Sequence, residues 1–243
     1  MNDLQEIWVY LSGLPLFSLV LTLLAYETGL RLHLWSGRQP LVNPVAVAIL
    51  IVLAVLVLTD MPYESYFEGA QFIHFLLGTA TVSLAVPIAR GWRLLKGRIP
   101  ILLMATLAGG SISIASASLL GLALGLPDAL LLPLVAKSVT APIAMGIVDG
   151  TGISPTLTAI YAVLTGILGA ISVRYLLDAI GMRNWADRGF ALGIAAHGIG
   201  TSRAFSVHPD AGAFASIAMG LHGIAGSILI PPLVPLFKSL LTG

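Results

Sequence analysis

Two stretches of this chain hold residues able to do chemistry in otherwise hydrocarbon-like surroundings. The first is Ala136-Lys137-Ser138-Val139-Thr140-Ala141-Pro142-Ile143-Ala144. It combines one ammonium, two hydroxyls and a proline. Proline at 142 removes a backbone donor and frees a carbonyl about one turn earlier. It also biases residue 141 towards extended geometry. The second stretch is Ala195-Ala196-His197-Gly198-Ile199-Gly200-Thr201-Ser202-Arg203-Ala204. Its glycines permit bending and close approach. Hydroxyls, freed backbone N–H groups and a guanidinium together suit an anion. Arg203 can grip a carboxylate bidentately, while Lys137 acts as a point charge. The expected binding set is therefore Lys137, Ser138, Thr140, His197, Thr201 and Arg203. Pro142, Gly198 and Gly200 would break the helices that carry it.

Composition names the solvent around those stretches. Of 243 residues, 57% are hydrophobic and only 9% charged, with 12 basic and 11 acidic side chains. A soluble domain carries roughly 25% charged residues. The charges fall in patches near 3–6, 27–38, 60–68, 90–98 and 174–188, with long uncharged runs between them. The expectation is an all-α polytopic membrane protein forming one transmembrane domain over 1–243. With a net charge of +1 and no dense basic block there is no nucleic-acid footprint, and the absence of cysteine excludes disulfides and thiolate chemistry. The first residues lack a positive n-region, and the apolar run that follows reads as a retained span rather than a signal peptide.

A spanning helix needs roughly 17–25 apolar residues. That ruler finds candidates at about 7–25, 43–59, 71–89, 99–124, 129–148, 154–177, 189–206 and 211–237. Proline marks several starts, at Pro44, Pro100, Pro127 and Pro155, where its missing N–H costs little. The positive-inside rule puts the loops 26–42 and 90–98 in the cytoplasm and the acidic loop 60–70 outside. Arg174, Arg183 and Arg188 conflict with this if all eight segments cross. The conflict disappears if one segment fails to cross. Segment 129–148, with Lys137 and Pro142 near its centre, is the weakest spanner. Seven or eight spans with broken or re-entrant helices are therefore expected.

Weak self-similarity suggests an inverted repeat with halves 43–124 and 154–237 linked by the broken helix 129–148. Asn43-Pro44 through Leu53 echoes Ser154-Pro155 through Leu164, and Phe75–Ala80 echoes Phe190–Ala195. A competing echo pairs the stretch after Ser83 with that after Ser138 at another offset. The remaining polar residues have plainer readings. Asn43 caps a helix. Lys137 has Asp128 or Asp149 as an alternative partner, and Arg203 has an alternative as a topology anchor. His74 and His222 read as structural. Gly109-Gly110 with the small residues to 118, and likewise Gly220 and Gly223, read as close helix packing. No Gly-x-Ser-x-Gly, His-Glu-x-x-His or phosphate-loop pattern occurs, so no enzyme and no cofactor are expected.

The run from Lys137 to Ala144 resembles the Lys-Ser-Val-Thr-Thr-Pro-Ile-Ala signature of the LrgB/CidB family. Ala196 through Ala204 resembles its Ser-His-Gly-Ile-Gly-Thr-Ala-Arg-Ala signature. Asn43-Pro44, Tyr63-Glu64 with Tyr66-Phe67 and Gly69, Thr165 through Ala170, and Gly212-Ala213-Phe214 extend the resemblance from about residue 40 to the C-terminus. The departures are Ala136, Ala141, Ala196 and Ser202, where the family usually has proline, threonine, serine and alanine.

The resemblance implies two functional traditions. One is a holin/antiholin-like regulator of murein hydrolases and lysis, working with a small LrgA/CidA-type membrane protein. The other is a carrier of small carboxylates, similar to the plastid glycolate/glycerate translocator. Two cations in two separate helix breaks favour the carrier. The expectation is a multi-pass protein of the cell (inner or plasma) membrane. It would move monocarboxylates of the pyruvate, glycolate and glycerate type by alternating access, with His197 as proton-coupling candidate. Expected partners are the carboxylate, the bilayer, an LrgA/CidA-type protein and a second copy of the chain.

Overall fold

The computed structural model describes residues 15–83, 86, 89 and 97–242. The N-terminal part of the expected span 7–25, much of the end of 71–89, and Arg90, Arg93 and Lys96 lie outside the described residues. The chain divides into two compact units, 1–80 and 81–243.

In the first unit, α1 is Pro15–Trp35, α2 is Pro44–Leu58 and α3 begins at Tyr63, running to Ser83. Helix α1 continues through the charged patch expected to be a loop. Its Glu27 and Arg31 are one turn apart and pair at 2.7 Å on the exposed face. Asn43 caps α2 as expected, its side-chain oxygen accepting from the Val45 and Ala46 amides. Thr22 and Tyr66 share a 2.7 Å hydrogen bond between α1 and α3.

The second unit contains α4 (Ile99–Ala123), α5 (Asp128–Leu131) leading into a 3-10 turn (Leu132–Ala136), α6 (Ala141–Val148), α7 (Pro155–Ala179), α8 (Trp185–Val207) and α9 (Pro209–Thr242). Among the described residues, three helices are long and apolar enough to cross a membrane: Ile99–Ala123, Pro155–Ala179 and Pro209–Leu236. Pro100, Pro142 and Pro155 all stand in the first turn of their helices, where no intrahelical donor is lost.

Two further apolar segments of this unit turn back on themselves: 128–148, expected to be broken or re-entrant, and 185–207, expected to span as 189–206, which the structure corrects. Segment 185–207 reverses direction. Ala196 (φ −133°, ψ 15°) and His197 (φ 39°, ψ −131°) are non-helical. A Cβ built on Gly200 would come within 3.0 Å of Leu192 Cγ, whereas eight residues of straight helix span roughly 12 Å. At the open end, the Trp185 and His208 rings stack with centroids 5.1 Å apart. The segment is therefore a hairpin whose two ends lie together.

Segment 128–148 is a second hairpin. Its arms are α5 with the 3-10 turn, and α6. Residues 137–140 form the bend, and Thr140 is the extended residue before α6 (φ −61°, ψ 144°). The extended geometry expected at residue 141 is not found: Ala141 is already helical, and the extended residue is Thr140, the N-cap of α6. Val135 and Ala136 of one arm share a buried cluster with Ala144, Ile147 and Val148 of the other.

The long helices show how the hairpins oppose each other. Along α9, Ala211 and Ala215 pack on Gly189 and Gly193, and Met219 meets Gly198. His222 then meets Ser138, Gly226 lies under Val139, and Ile230 and Val234 pack on the arms of 128–148. Along α4, Ile99 and Leu102 pack on the Phe190 cluster, Ser113 meets Lys137, and Gly121 lies under Leu131. The hairpins thus enter from opposite ends, and their tips arrive near Met219 and His222. Those residues are three apart, or roughly 4.5 Å along the helix.

The chain has no cysteine, so single cysteines report topology cleanly. Arg183→Cys and Asp210→Cys should react with an impermeant maleimide from one membrane face, and Asp149→Cys from the other. Labelling of 183 and 210 from opposite faces would show that 185–207 crosses.

Candidate functional site

The two hairpin tips and the middles of α4, α7 and α9 bring one set of polar groups together. Lys137 is the residue just past the 3-10 turn, and its Nζ donates to Ser113 Oγ at 3.0 Å. Ser113 stands near the midpoint of α4. Ser138 is fully buried, with its Oγ 3.1 Å from His222 Nε2 on α9, and the two share one hydrogen bond. Thr140 Oγ1 is buried and meets no hydrogen-bond partner among the described residues. Thr140 also leaves the first turn of α6 without a side-chain cap. A helix start carries partial positive charge and unsatisfied N–H groups.

His197 forms the opposite tip. Its Nε2–H donates to the Ala162 carbonyl of α7 at 2.7 Å. A carbonyl only accepts, so Nε2 carries a proton. Its positive φ lies where residues with a Cβ pay roughly 1–3 kcal/mol. Two contacts oppose that strain: the Ala162 bond, and the bond from Thr201 Oγ1 to the His197 carbonyl at 2.8 Å. The ring fits because α7 has glycine beside it. A Cβ on Gly166 would stand 2.7 Å from His197 Cε1 and 2.9 Å from Ile199 Cδ1. Gly110 of α4 makes the same allowance for His222, at 2.7 Å from its Cε1. Lys137, His197 and His222 all lie within electrostatic reach of one another.

A groove of about 820 Å³ runs between α4 and the first arm of α8. Arg98 and Asp187 stand at its open end, Phe190 and Ile194 line its wall, and Ser113 is at its inner end. It connects one end of the bundle with the hydroxyl that holds Lys137.

Of the expected set, Lys137, Ser138, Thr140, His197 and Thr201 collect around the two tips. Pro142 opens α6, and Gly198 and Gly200 lie in the turn out of His197. Arg203 is the exception. It lies on the returning arm of 185–207, lining a separate cavity with Arg188 and Asp178. Lys137 does not line that cavity, and a single carboxylate held by both is not what this arrangement offers. The physical reason is the reversal at His197, which carries Arg203 back towards the hairpin's open end.

Neither acidic residue proposed for Lys137 reaches it, and its partner is Ser113. Sequence reasoning did not single out Ser113, and it read His222 as structural without its partner Ser138. The serine sat among small residues that read as packing surface. The histidine's only signal was its position beside Gly223 in a small-residue helix.

Comparison with known proteins agrees with the motifs at both tips. The LrgB-like family model matches residues 22–236. The chain belongs to the LrgB-like family. Among its relatives, the uncharacterized protein YwbG of Bacillus subtilis is 34% identical over 209 residues, covering 85% of this chain and 92% of that one. YxaC of the same organism, also uncharacterized, is 31% identical over 90% of this chain and 95% of its own. The holin-like protein CidB of Staphylococcus aureus is 28% identical over 222 residues, 91% of this chain and 96% of that one. No solved structure matches the chain. With the family and the three long apolar helices, the chain is a membrane protein of LrgB/CidB type.

Two substitutions test the tip contacts. Ser138→Ala leaves His222 Nε2 without its protein partner, and should cost about 1–3 kcal/mol of stability. Gly166→Val drives a side chain into His197 and should cost at least as much, roughly 1–3 kcal/mol or more. Thermal unfolding in neutral detergent reads both. Unchanged midpoints would show that neither contact holds the tips.

Proposed function

We propose that this protein is a secondary carrier of small monocarboxylates, of the pyruvate, glycolate or glycerate type, in the cytoplasmic membrane. The observation that supports it is Lys137. Its ammonium stands at the tip of the 128–148 hairpin with the Ser113 hydroxyl of α4 as its protein partner, and no carboxylate lies within ion-pair distance among the described residues. A cation inside an apolar bundle costs roughly 2.5–3.5 kcal/mol on insertion scales. A substrate carboxylate offsets that cost while bound.

Lys137 Nζ takes the carboxylate, and the uncapped start of α6 adds N–H groups and positive potential on the same side. Thr140 Oγ1, buried without a partner, meets the 2-oxo or 2-hydroxy oxygen. Ser138, tied to His222, holds the tip in shape. His197 and Thr201 build the opposing tip, and His197 remains the proton-coupling candidate. Its Nε2–H is committed to Ala162, so the coupled proton would join and leave at Nδ1 with that bond kept. Arg203 has no substrate contact in this reading.

Two hairpins entering from opposite ends support alternating access, since loosening either one exposes the tips to its own side. The succession of span and hairpin occurs twice, at 99–148 and 155–207, which supports an inverted repeat with boundaries unlike the halves 43–124 and 154–237. The positive-inside rule assigns the end carrying Arg98, Arg174, Arg183 and Arg188 to the cytoplasm. The groove from Arg98 to Ser113 is then the cytoplasmic route.

The holin-like name of the CidB relatives supports a second reading, a holin-like membrane protein, to which the family resemblance adds a CidA/LrgA-type partner. Proteoliposomes separate the two. The carrier reading expects saturable uptake of labelled pyruvate, glycolate or glycerate without dye leakage. Lys137→Gln should reduce that uptake by roughly 10-fold or more, the worth of one charge-assisted hydrogen bond. Dye leakage with no saturable uptake, with and without an LrgA-type partner, would favour the holin-like reading.

A further inference from the structure

The cavity that Arg203 lines is a second site of different chemistry. It has a volume of about 350 Å³ and lies where α7 ends and both arms of the 185–207 hairpin begin and finish. Its polar wall is Arg174, Asp178, Arg183, Arg188 and Arg203, with the Trp185 ring beside them. Among the described lining residues, four guanidiniums and one carboxylate stand together.

Asp178 does not balance them. Its Oδ1 accepts from Arg188 at 2.6 Å, while Arg174 and Arg183 stand off at 4.0 and 3.9 Å. Arg188 is locked in place. It also donates to the Met182 carbonyl at 2.7 Å and lies over the Trp185 ring at 5.4 Å, with only 11% of its side chain exposed. Trp185 is in turn stacked on His208. The cavity therefore has a multiply bonded, buried Arg188 at its floor and two exposed guanidiniums, Arg174 and Arg183, at its rim.

We propose that this cavity binds a phosphate group. A phosphate presents three oxygens or more to several guanidiniums at once, and guanidinium geometry matches it bidentately. A carboxylate offers two oxygens, and Asp178 already supplies that chemistry. The rest of the wall is apolar, including Val173 and Leu192. Basic pockets between helices with such walls take the headgroups of anionic phospholipids. A soluble phosphate satisfies the same donors, so the polar chemistry is shared and the source is a matter for the test. The folding-back of residues 185–207 creates this site, because it brings Arg203 next to Arg188 although fifteen positions separate them.

The test is thermal unfolding of the whole protein in neutral detergent, followed by tryptophan fluorescence. Probes are inorganic phosphate at fixed ionic strength, and mixed micelles containing phosphatidylglycerol or phosphatidylcholine. Phosphatidylglycerol, inorganic phosphate or both should raise the midpoint by roughly 3 °C or more over its control. The doubly substituted Arg174→Gln/Arg183→Gln protein, altered only at exposed side chains, should lose at least half of that rise. A charge-matched Arg31→Gln/Arg98→Gln control should keep it. A rise with phosphatidylglycerol alone assigns the site to a lipid headgroup, and a rise with inorganic phosphate assigns it to a soluble ligand. No rise with either probe, or an equal rise in the Arg174/Arg183 variant, overturns the proposal. The reading uses no transport assay, so it stands or falls separately from the carrier function.

Discussion

Inside a bundle of apolar helices, a chain that reverses direction must find partners within the protein, or in a ligand, for the polar groups at the reversal. Water is not there to supply them. This protein reverses twice, at 137–140 and at 196–197, and each reversal is met by a named atom on a long helix. Ser113 of α4 receives the Lys137 ammonium, His222 of α9 pairs with Ser138, and the Ala162 carbonyl of α7 receives the His197 N–H. Each of the three long helices thus supplies one polar group, at the level where the tips arrive. The site exists because those obligations coincide.

The small residues of the long helices follow from the same constraint. Two imidazole rings and two bends have to fit where helices are in contact. Gly110 and Gly166 face the rings, and a methyl at either would stand 2.7 Å from a ring carbon. The alanines and glycines of α8 and α9 let the arms of 185–207 lie on α9 closely enough for its tip to reach Met219. Packing and site geometry are therefore one design. Strain at His197 persists because Ala162 and Thr201 hold it from both sides.

Much of this was legible in the residues themselves. The scarcity of charge identified the solvent, prolines marked helix starts, and the clash between Arg174, Arg183, Arg188 and the positive-inside rule pointed to the segment near 129–148 that the structure shows broken and folded back. Five of the six expected binding residues gather at the tips for the same reason: polar residues at a helix break are where backbone groups come free. What stayed hidden was pairing. Ser113 looked like packing surface and His222 like a lone core histidine. Only the register between α4, α9 and the 128–148 hairpin shows what they touch.

Arg203 marks the boundary between the two kinds of knowledge. Chain chemistry alone determined that a guanidinium, a histidine and two glycines interrupt an apolar run, and that Lys137 does so elsewhere. It also determined the LrgB-like family, through motifs at both breaks. Tertiary structure decided that the second break is a full reversal rather than a kink. That choice places Arg203 beside Arg188 and leaves Lys137 to face the tips without it. The physical reason is that a break is a local property, set by which backbone donors and Cβ atoms are present. The angle after it is set by what the next ten residues can pack against, and that is a property of α7 and α9.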